Sequence, residues 1–168
     1  MKTQAMDKAK TVTPACLYPF KSLTVEQGYP STQQFQVERN GIKARVHFDS
    51  RVRIARISGW AVGERRLHTV QLSPRIHLYD SWFCGRLQHS CNPNVFVDTT
   101  YLEIWTLRPI LPDESLTMDY ATTEDMLTQQ FACECHASSC RRWITGSQQQ
   151  LNAEGQAFMA QWRDRKQP

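Results

Sequence analysis

The stretch Leu102-Glu103-Ile104-Trp105-Thr106-Leu107 sets apolar against polar side chains at a period of two. Successive side chains of a strand point to opposite faces, so this spacing predicts a strand with one face buried. Outward from it, Val95-Phe96-Val97 reads the same way, and so do 35–37, 44–48, 52–57, 67–72 and 75–78. Asn40-Gly41, Ser58-Gly59, Gly63 and Ser73-Pro74 interrupt these runs with turn-forming residues, which makes them short strands rather than helices. The expected class is a mostly β chain with few helical windows.

Residues 1–31 mix Lys, Thr, Gln and Pro without sustained periodicity and read as an N-terminal tail and entry segment. At the other end, Leu151, Phe158, Met159 and Trp162 share one face of a helix expected over 148–164. Such a stripe serves core packing or a partner-facing surface rather than a cofactor. A length of 168 residues suits one domain with a sizeable core, and fractions of 40% hydrophobic and 21% charged residues are those of a globular protein. Apolar runs stop far short of the roughly 20 residues that cross a bilayer, which argues against a membrane protein. The start of the chain is charged and has no apolar run behind it, so it reads as neither secretory signal nor anchor. The expected location is intracellular, cytoplasmic or alternatively nuclear. A net charge of +4 is mild, and direct nucleic-acid binding is not indicated. Arg51, Arg53, Arg56, Arg65 and Arg66 nevertheless crowd one stretch, as either an anion-facing patch or a solvated strand face.

Cys133-Glu134-Cys135-His136-Ala137-Ser138-Ser139-Cys140 puts three of the six cysteines into one small polar loop. In a reducing compartment such a cluster is poor disulfide material, whereas close thiols in a short loop commonly hold tetrahedral zinc. A structural site wants a fourth ligand, and Cys91, Cys84, Cys16 or a distant histidine could supply it. Bound metal would pin the C-terminal region to the body; the blander alternative is a cluster of free thiols. Gln88-His89-Ser90-Cys91-Asn92-Pro93-Asn94 is a dense polar run whose Asn-Pro chemistry favours a turn. Cys91 and His89, two residues apart, would point to opposite sides of a strand, which argues against a Cys–His nucleophilic pair. In Leu116-Thr117-Met118-Asp119-Tyr120, the tyrosine by itself reads as a core residue with a bonded hydroxyl.

In this order and at these separations, the three segments resemble the SET domain family of lysine methyltransferases that use S-adenosylmethionine. The family's Asn-His-Ser-Cys-x-Pro-Asn corresponds to residues 88–94, its Gly-Glu-Glu-Leu-x-Tyr/Phe-Asp-Tyr to 113–120, and its Cys-x-Cys-x4-Cys tail to 133–140. The resemblance is strong over 87–140, weaker over 41–80, and covers neither the first thirty or so residues nor the terminal helix. It implies a mostly β, SET-type fold of several small sheets, with a C-terminal pseudoknot joining 88–94 to 116–120, a zinc-bound Cys tail and a terminal helix. The corresponding organisation is a tail over 1–31, a SET-like domain over 32–132, a post-SET-like zinc segment over 133–146 and a C-terminal helix over 147–168, all within one globular domain.

The resemblance also implies residue roles. Cys91 would join Cys133, Cys135 and Cys140 on a structural zinc ion. Gln88, His89 and Gly41 would contact S-adenosylmethionine, and position alone puts Trp143 beside the adenine. Tyr120 would be the catalytic tyrosine beside the transferred methyl, with Met118 in the substrate pocket. The implied function is methylation of a lysine side chain presented by a protein substrate. Four departures stand out: Gln88 replaces Asn, Met118 replaces Tyr or Phe, the Gly-x-Gly motif is reduced to Gly41-Ile42-Lys43, and the segment between Gly59 and Cys91 is short. They leave two alternatives, a catalytically weakened, zinc-stabilised binding module and a cofactor-consuming enzyme with a small-molecule substrate.

Overall fold

Arg39 and Asn40 turn the chain between β1 (Phe35–Glu38) and β2 (Gly41–Ala44), an antiparallel pair that buries Phe35, Ile42 and Ala44. A computed structural model provides the structure and describes residues 28–165. Residues 1–27 of the expected tail, Cys16 and the last three residues of the expected terminal helix lie outside the described residues. Gly28, the first described, already accepts a hydrogen bond from the Arg56 N–H at 2.6 Å. Pro30 is fully buried.

Short strands follow: β3 (Arg53–Arg56), β4 (Trp60–Val62), β5 (Thr69–Ser73), β6 (Ile76–Tyr79), β7 (Gln88–His89), β8 (Val95–Asp98) and β9 (Glu103–Thr106). After them come β10 (Thr117–Met118), β11 (Phe131–Ala132), β12 (Trp143–Ile144) and a helix, α1 (Ala153–Asp164). They form five small sheets, two of three strands, ordered β3-β9-β8 and β4-β6-β5, and three of two strands, β1-β2, β7-β10 and β11-β12. The mostly β architecture of several small sheets with a terminal helix is therefore the one observed. Alternation explains the first three-stranded sheet: Val95, Val97, Ile104 and Thr106 turn inward, while Phe96 and Trp105 pair on the outer face. Inside, Phe35 stacks on Phe48 and meets Phe83 edge-on, among Ile42, Ile104, Ile110 and Leu116.

Two expected boundaries differ. The run 44–48 contributes only Ala44 to a strand, and Phe48 makes an isolated bridge to Ile110. The terminal helix starts at Ala153, not at residue 148. The intervening backbone is already engaged, since the N–H groups of Ser147 and Gln148 donate to the carbonyls of Glu124 and Asp125. Asn152 then caps the helix by accepting from the Gly155 N–H at 2.8 Å. From the expected stripe, Phe158 packs on Trp143, and the Trp162 ring lies under the Arg142 guanidinium.

The body is joined to the site by β7 and β10, which run parallel with Gln88 opposite Thr117 and His89 opposite Met118. Asn94, 1% exposed, fastens this join. Its amide donates to the Ser115 carbonyl at 2.8 Å and to Glu114 at 3.1 Å, and its Oδ1 accepts from the Thr117 N–H at 2.8 Å.

Candidate functional site

Where the two parallel strands end, a cavity of about 550 Å³ opens, lined by Leu87, Met118, Tyr120 and Phe131 among others. The Tyr120 hydroxyl donates to the Leu87 carbonyl at 2.8 Å. Burial, then the charge of Glu124, push the pKa of that hydroxyl up to about 12, so it stays protonated at neutral pH. Rings of His89, Tyr120 and Phe131 meet edge to face, with centroids 5.2 to 6.1 Å apart. A protonated hydroxyl beside a backbone carbonyl, flanked by apolar side chains, is suited to holding a neutral amine by hydrogen bonds.

His89 sits behind this wall. Its Nδ1 accepts from the Tyr120 N–H at 3.3 Å, which leaves the proton on Nε2, 3.4 Å from the Cys91 sulfur. Burial lowers its pKa to about 4, against the opposing pull of Asp119, so the ring is neutral and its 3.8 Å approach to Asp119 is no ion pair at pH 7. The expectation that His89 and Cys91 point to opposite sides is corrected: side chains two apart on an extended chain share a face, and the two groups meet at 3.4 Å. Their proximity still does not make a nucleophilic pair: Cys91 belongs to the thiol cluster.

Cys91, Cys133, Cys135 and Cys140 bring their sulfurs within 4.8 Å of one another. Around a metal with bonds of about 2.3 Å, tetrahedral thiolates stand about 3.8 Å apart, and Cys91 and Cys133 are 3.9 Å apart. Burial pushes the Cys91 and Cys133 thiols up. Burial opposes ionisation of Cys135 too, but hydrogen bonds from the Ala137 and Cys91 N–H groups and the neighbouring thiols bring it down to about 6. Four thiolates this close need a cation, and further N–H groups already point at them, from Arg141 to Cys91 and from Arg142 to Cys140, each at 3.4 Å. The cluster can bind a metal. Of the other candidate ligands, Cys84 is 1% exposed in the hydrophobic core, where burial holds its thiol well above the usual value.

Gly41 and Gln88 abut one another. A Cβ on Gly41, whose φ is +149°, would come within 3.1 Å of the Gln88 side chain. Gln88 is exposed, so that side chain is free to swing aside. Met118 is 3% exposed and both fills core volume and lines the cavity. Trp143 lies elsewhere. It is 6% exposed, donates to Gln130 at 3.0 Å and packs against Phe158, so it joins the tail to α1.

Sequence reasoning missed three parts of this site. Phe131 reaches the cavity from the tail, and the Leu87 carbonyl accepts from Tyr120, neither of which has a side-chain signature. Asp119 was visible in the motif, but not its ion pair with Arg141 of the tail at 2.5 Å.

A family model described as the SET domain matches residues 5–121. Human histone-lysine N-methyltransferase 2B is 36% identical over 64 residues, 34% of this chain and 2% of that protein. The methyltransferase flvH of Aspergillus flavus is 32% identical over 85 residues, 48% of this chain and 46% of that protein. The match thus spans less than half of either curated relative. Among solved structures, the methyltransferase domain of human histone-lysine N-methyltransferase SETMAR matches with a TM-score of 0.55 at 18% identity, over 74% of this chain and 61% of that one. KRYPTONITE in complex with mCHG DNA and SAH matches with a TM-score of 0.52 at 21% identity, over 65% of this chain and 28% of that one.

Proposed function

This chain belongs to the SET domain family, and from that premise we propose that it transfers a methyl group from S-adenosylmethionine to the side-chain amine of a lysine on a protein substrate. One observation carries the reading: the Tyr120 hydroxyl and the Leu87 carbonyl meet at 2.8 Å on the wall of a cavity, beside the apolar side chains of Met118 and Phe131. Relatives named histone-lysine methyltransferases support the substrate class, and the structure of KRYPTONITE with an H3(1-15) peptide and SAH supports the peptide and the cofactor.

When bound, S-adenosylmethionine supplies a methyl group made electrophilic by its sulfonium. The demand on the protein is alignment, so positioning supplies most of the help. Tyr120 and Leu87 orient the amine, and the buried surroundings favour its neutral, nucleophilic form by desolvation. Gly41, Gln88 and the backbone of His89 would hold the cofactor. Trp143 enters only as the anchor of α1, because its ring is covered. The thiol cluster would hold one structural zinc ion: four thiolates close the coordination shell and leave no position for substrate.

Calorimetry with S-adenosylmethionine, followed by mass spectrometry of S-adenosylhomocysteine and of a lysine-bearing histone H3 peptide, tests the reading. Binding together with a lysine mass gain of one or more methyl groups is expected, and lack of both would overturn it. A second reading, a binding module with weakened catalysis, draws on Gln88 packing over Gly41 where the cofactor would approach. Peptide binding without turnover would favour it.

A further inference from the structure

The fold separates the five arginines that crowd one stretch of the sequence. Arg53 pairs with Glu103 at 2.6 Å, Arg56 lies over the Tyr29 ring at 5.2 Å and Arg66 over the Tyr79 ring at 4.2 Å. Arg51 stands exposed in the turn before β3. Arg65 is part-buried and lines the same cavity as Tyr120.

Its hydrogen bonding is incomplete. One terminal nitrogen donates to Gln71 at a long 3.3 Å, and the Nε is buried with no partner. Arg65 makes no ion pair among the described residues. Two acids lie near it: the Arg65 charge favours the ionised form of Glu124, but neither Glu124 nor Asp125 forms an ion pair with the guanidinium. Glu124, also in the lining, accepts from the Gln71 N–H at 2.8 Å and from Thr123 at 3.2 Å, and Asp125 accepts from the Gln71 amide at 2.6 Å and from Gln148 at 3.3 Å. A second buried atom without a partner, His77 Nδ1, belongs to the residue opposite Gln71 in the sheet, so both gaps adjoin that glutamine.

The Nε is sealed off by its own burial, so a ligand meets the guanidinium through its terminal nitrogens, of which Nη1 donates to none of the described residues. The guanidinium fork matches a carboxylate in particular, with parallel N–H groups for its two oxygens. We propose that Arg65 is a specificity-determining residue that binds a carboxylate of the substrate while Tyr120 holds the amine in the same cavity. This rests on the methyltransferase reading above and narrows its substrate. The carboxylate comes either from an acidic residue beside the target lysine or from the α-carboxylate of a free amino acid.

The test is calorimetry on the full chain with S-adenosylhomocysteine present, using two pairs of probes. The first pair is Nα-acetyl-L-lysine and its N-methylamide; the second is two short lysine peptides that differ by Glu or Gln next to the lysine. The acidic member of one pair should bind at least about tenfold more tightly, and the responding pair identifies the source. Arg65→Gln should abolish the preference and leave the neutral member's affinity unchanged. Arg65→Lys keeps the charge without the fork and covers the case in which Arg65→Gln fails to fold; its preference should fall several-fold. No preference in either pair, or a preference that survives both substitutions, overturns the proposal. Methylation of the probes is scored separately: its absence with an intact Arg65-dependent preference counts against the methyltransferase reading, not against the carboxylate contact.

Discussion

The β body and the cysteine tail are held together by different means. The body buries a contiguous set of large apolar side chains, from Phe35, Phe48 and Phe83 to Ile104, Ile110 and Leu116. Across residues 131–152 the buried side chains are Trp143 and Ile144, far too few for an independent core. Polar cross-links take over. Gln130 accepts from the Trp143 indole and the Asn152 N–H while donating to the Gln150 carbonyl, and Gln149 joins Gly146 to Leu127. With a metal bound, the four cysteines would add the strongest tie, because Cys91 belongs to the body and the other three to the tail. A segment without a core can still add a side chain to a cavity wall, as Phe131 does, if a metal and a few amides fix it.

The largest expected effect comes from cutting that tie. Structural zinc in small peptides is worth apparent free energies of about 10–16 kcal/mol, so Cys133→Ser or chelation should unfold the tail while the body stays folded. Hydrogen exchange should show protection lost at Phe131, Ala132, Trp143 and Ile144 but kept in β8 and β9. Turnover should fall by about 100-fold or more, since Phe131 faces Tyr120. Equal loss of protection in both regions would erase the distinction between them.

Tyr120→Phe tests the wall from the body side. Removing one hydrogen bond costs about 1 kcal/mol of stability, a shift of a few degrees in Tm for a domain of this size. The loss in kcat should exceed tenfold, because the hydroxyl orients the amine. With its pKa pushed up to about 12, the parent enzyme should show no fall in rate from tyrosine ionisation up to about pH 11; a basic limb near pH 10 would count against the assignment.

Gly155→Ala sharpens the comparison at the seam between tail and helix. The new Cβ would lie 2.3 Å from the Trp143 Nε1 and 2.7 Å from its Cδ1. Overpacking of this kind costs about 1–3 kcal/mol, and the loss should be confined to exchange rates in β12 and α1. The smallest effect is a change of product rather than of rate or stability. Methionine at 118 leaves a flexible apolar wall, so the parent should proceed past monomethyl-lysine. Met118→Tyr should narrow the product toward monomethyl-lysine; mass spectrometry showing identical distributions would leave Met118 as core filler alone.

Most of the body was legible from the sequence because strand alternation and turn chemistry are local. The thiol cluster was legible because three cysteines fall in one loop, and Cys91 followed from the family motif around it. The rest depends on distant pairings. Nothing local marks Gln130 or Gln149 as connectors, and the helix start moved because Ser147 and Gln148 donate to carbonyls more than twenty residues earlier in the chain. Arg65 was visible only as one of five arginines, since its distinguishing property is which neighbours the fold has taken away from it. His89 and Cys91 were misjudged because strand alternation places side chains two apart on one face, not on opposite faces.

The parallel join of β7 to β10 also sets an order of events during synthesis. Gln88 and His89 have no strand partner until Thr117 and Met118 have been made, and Asn94 cannot complete its bonds before Ser115 and Thr117 exist. Hairpins such as β1-β2 and β8-β9 can close as soon as they leave the ribosome, whereas a parallel pair must first close a long loop at an entropic cost. The cavity beside Tyr120 is therefore among the last parts of the body to mature, with Cys133, Cys135 and Cys140 arriving later still.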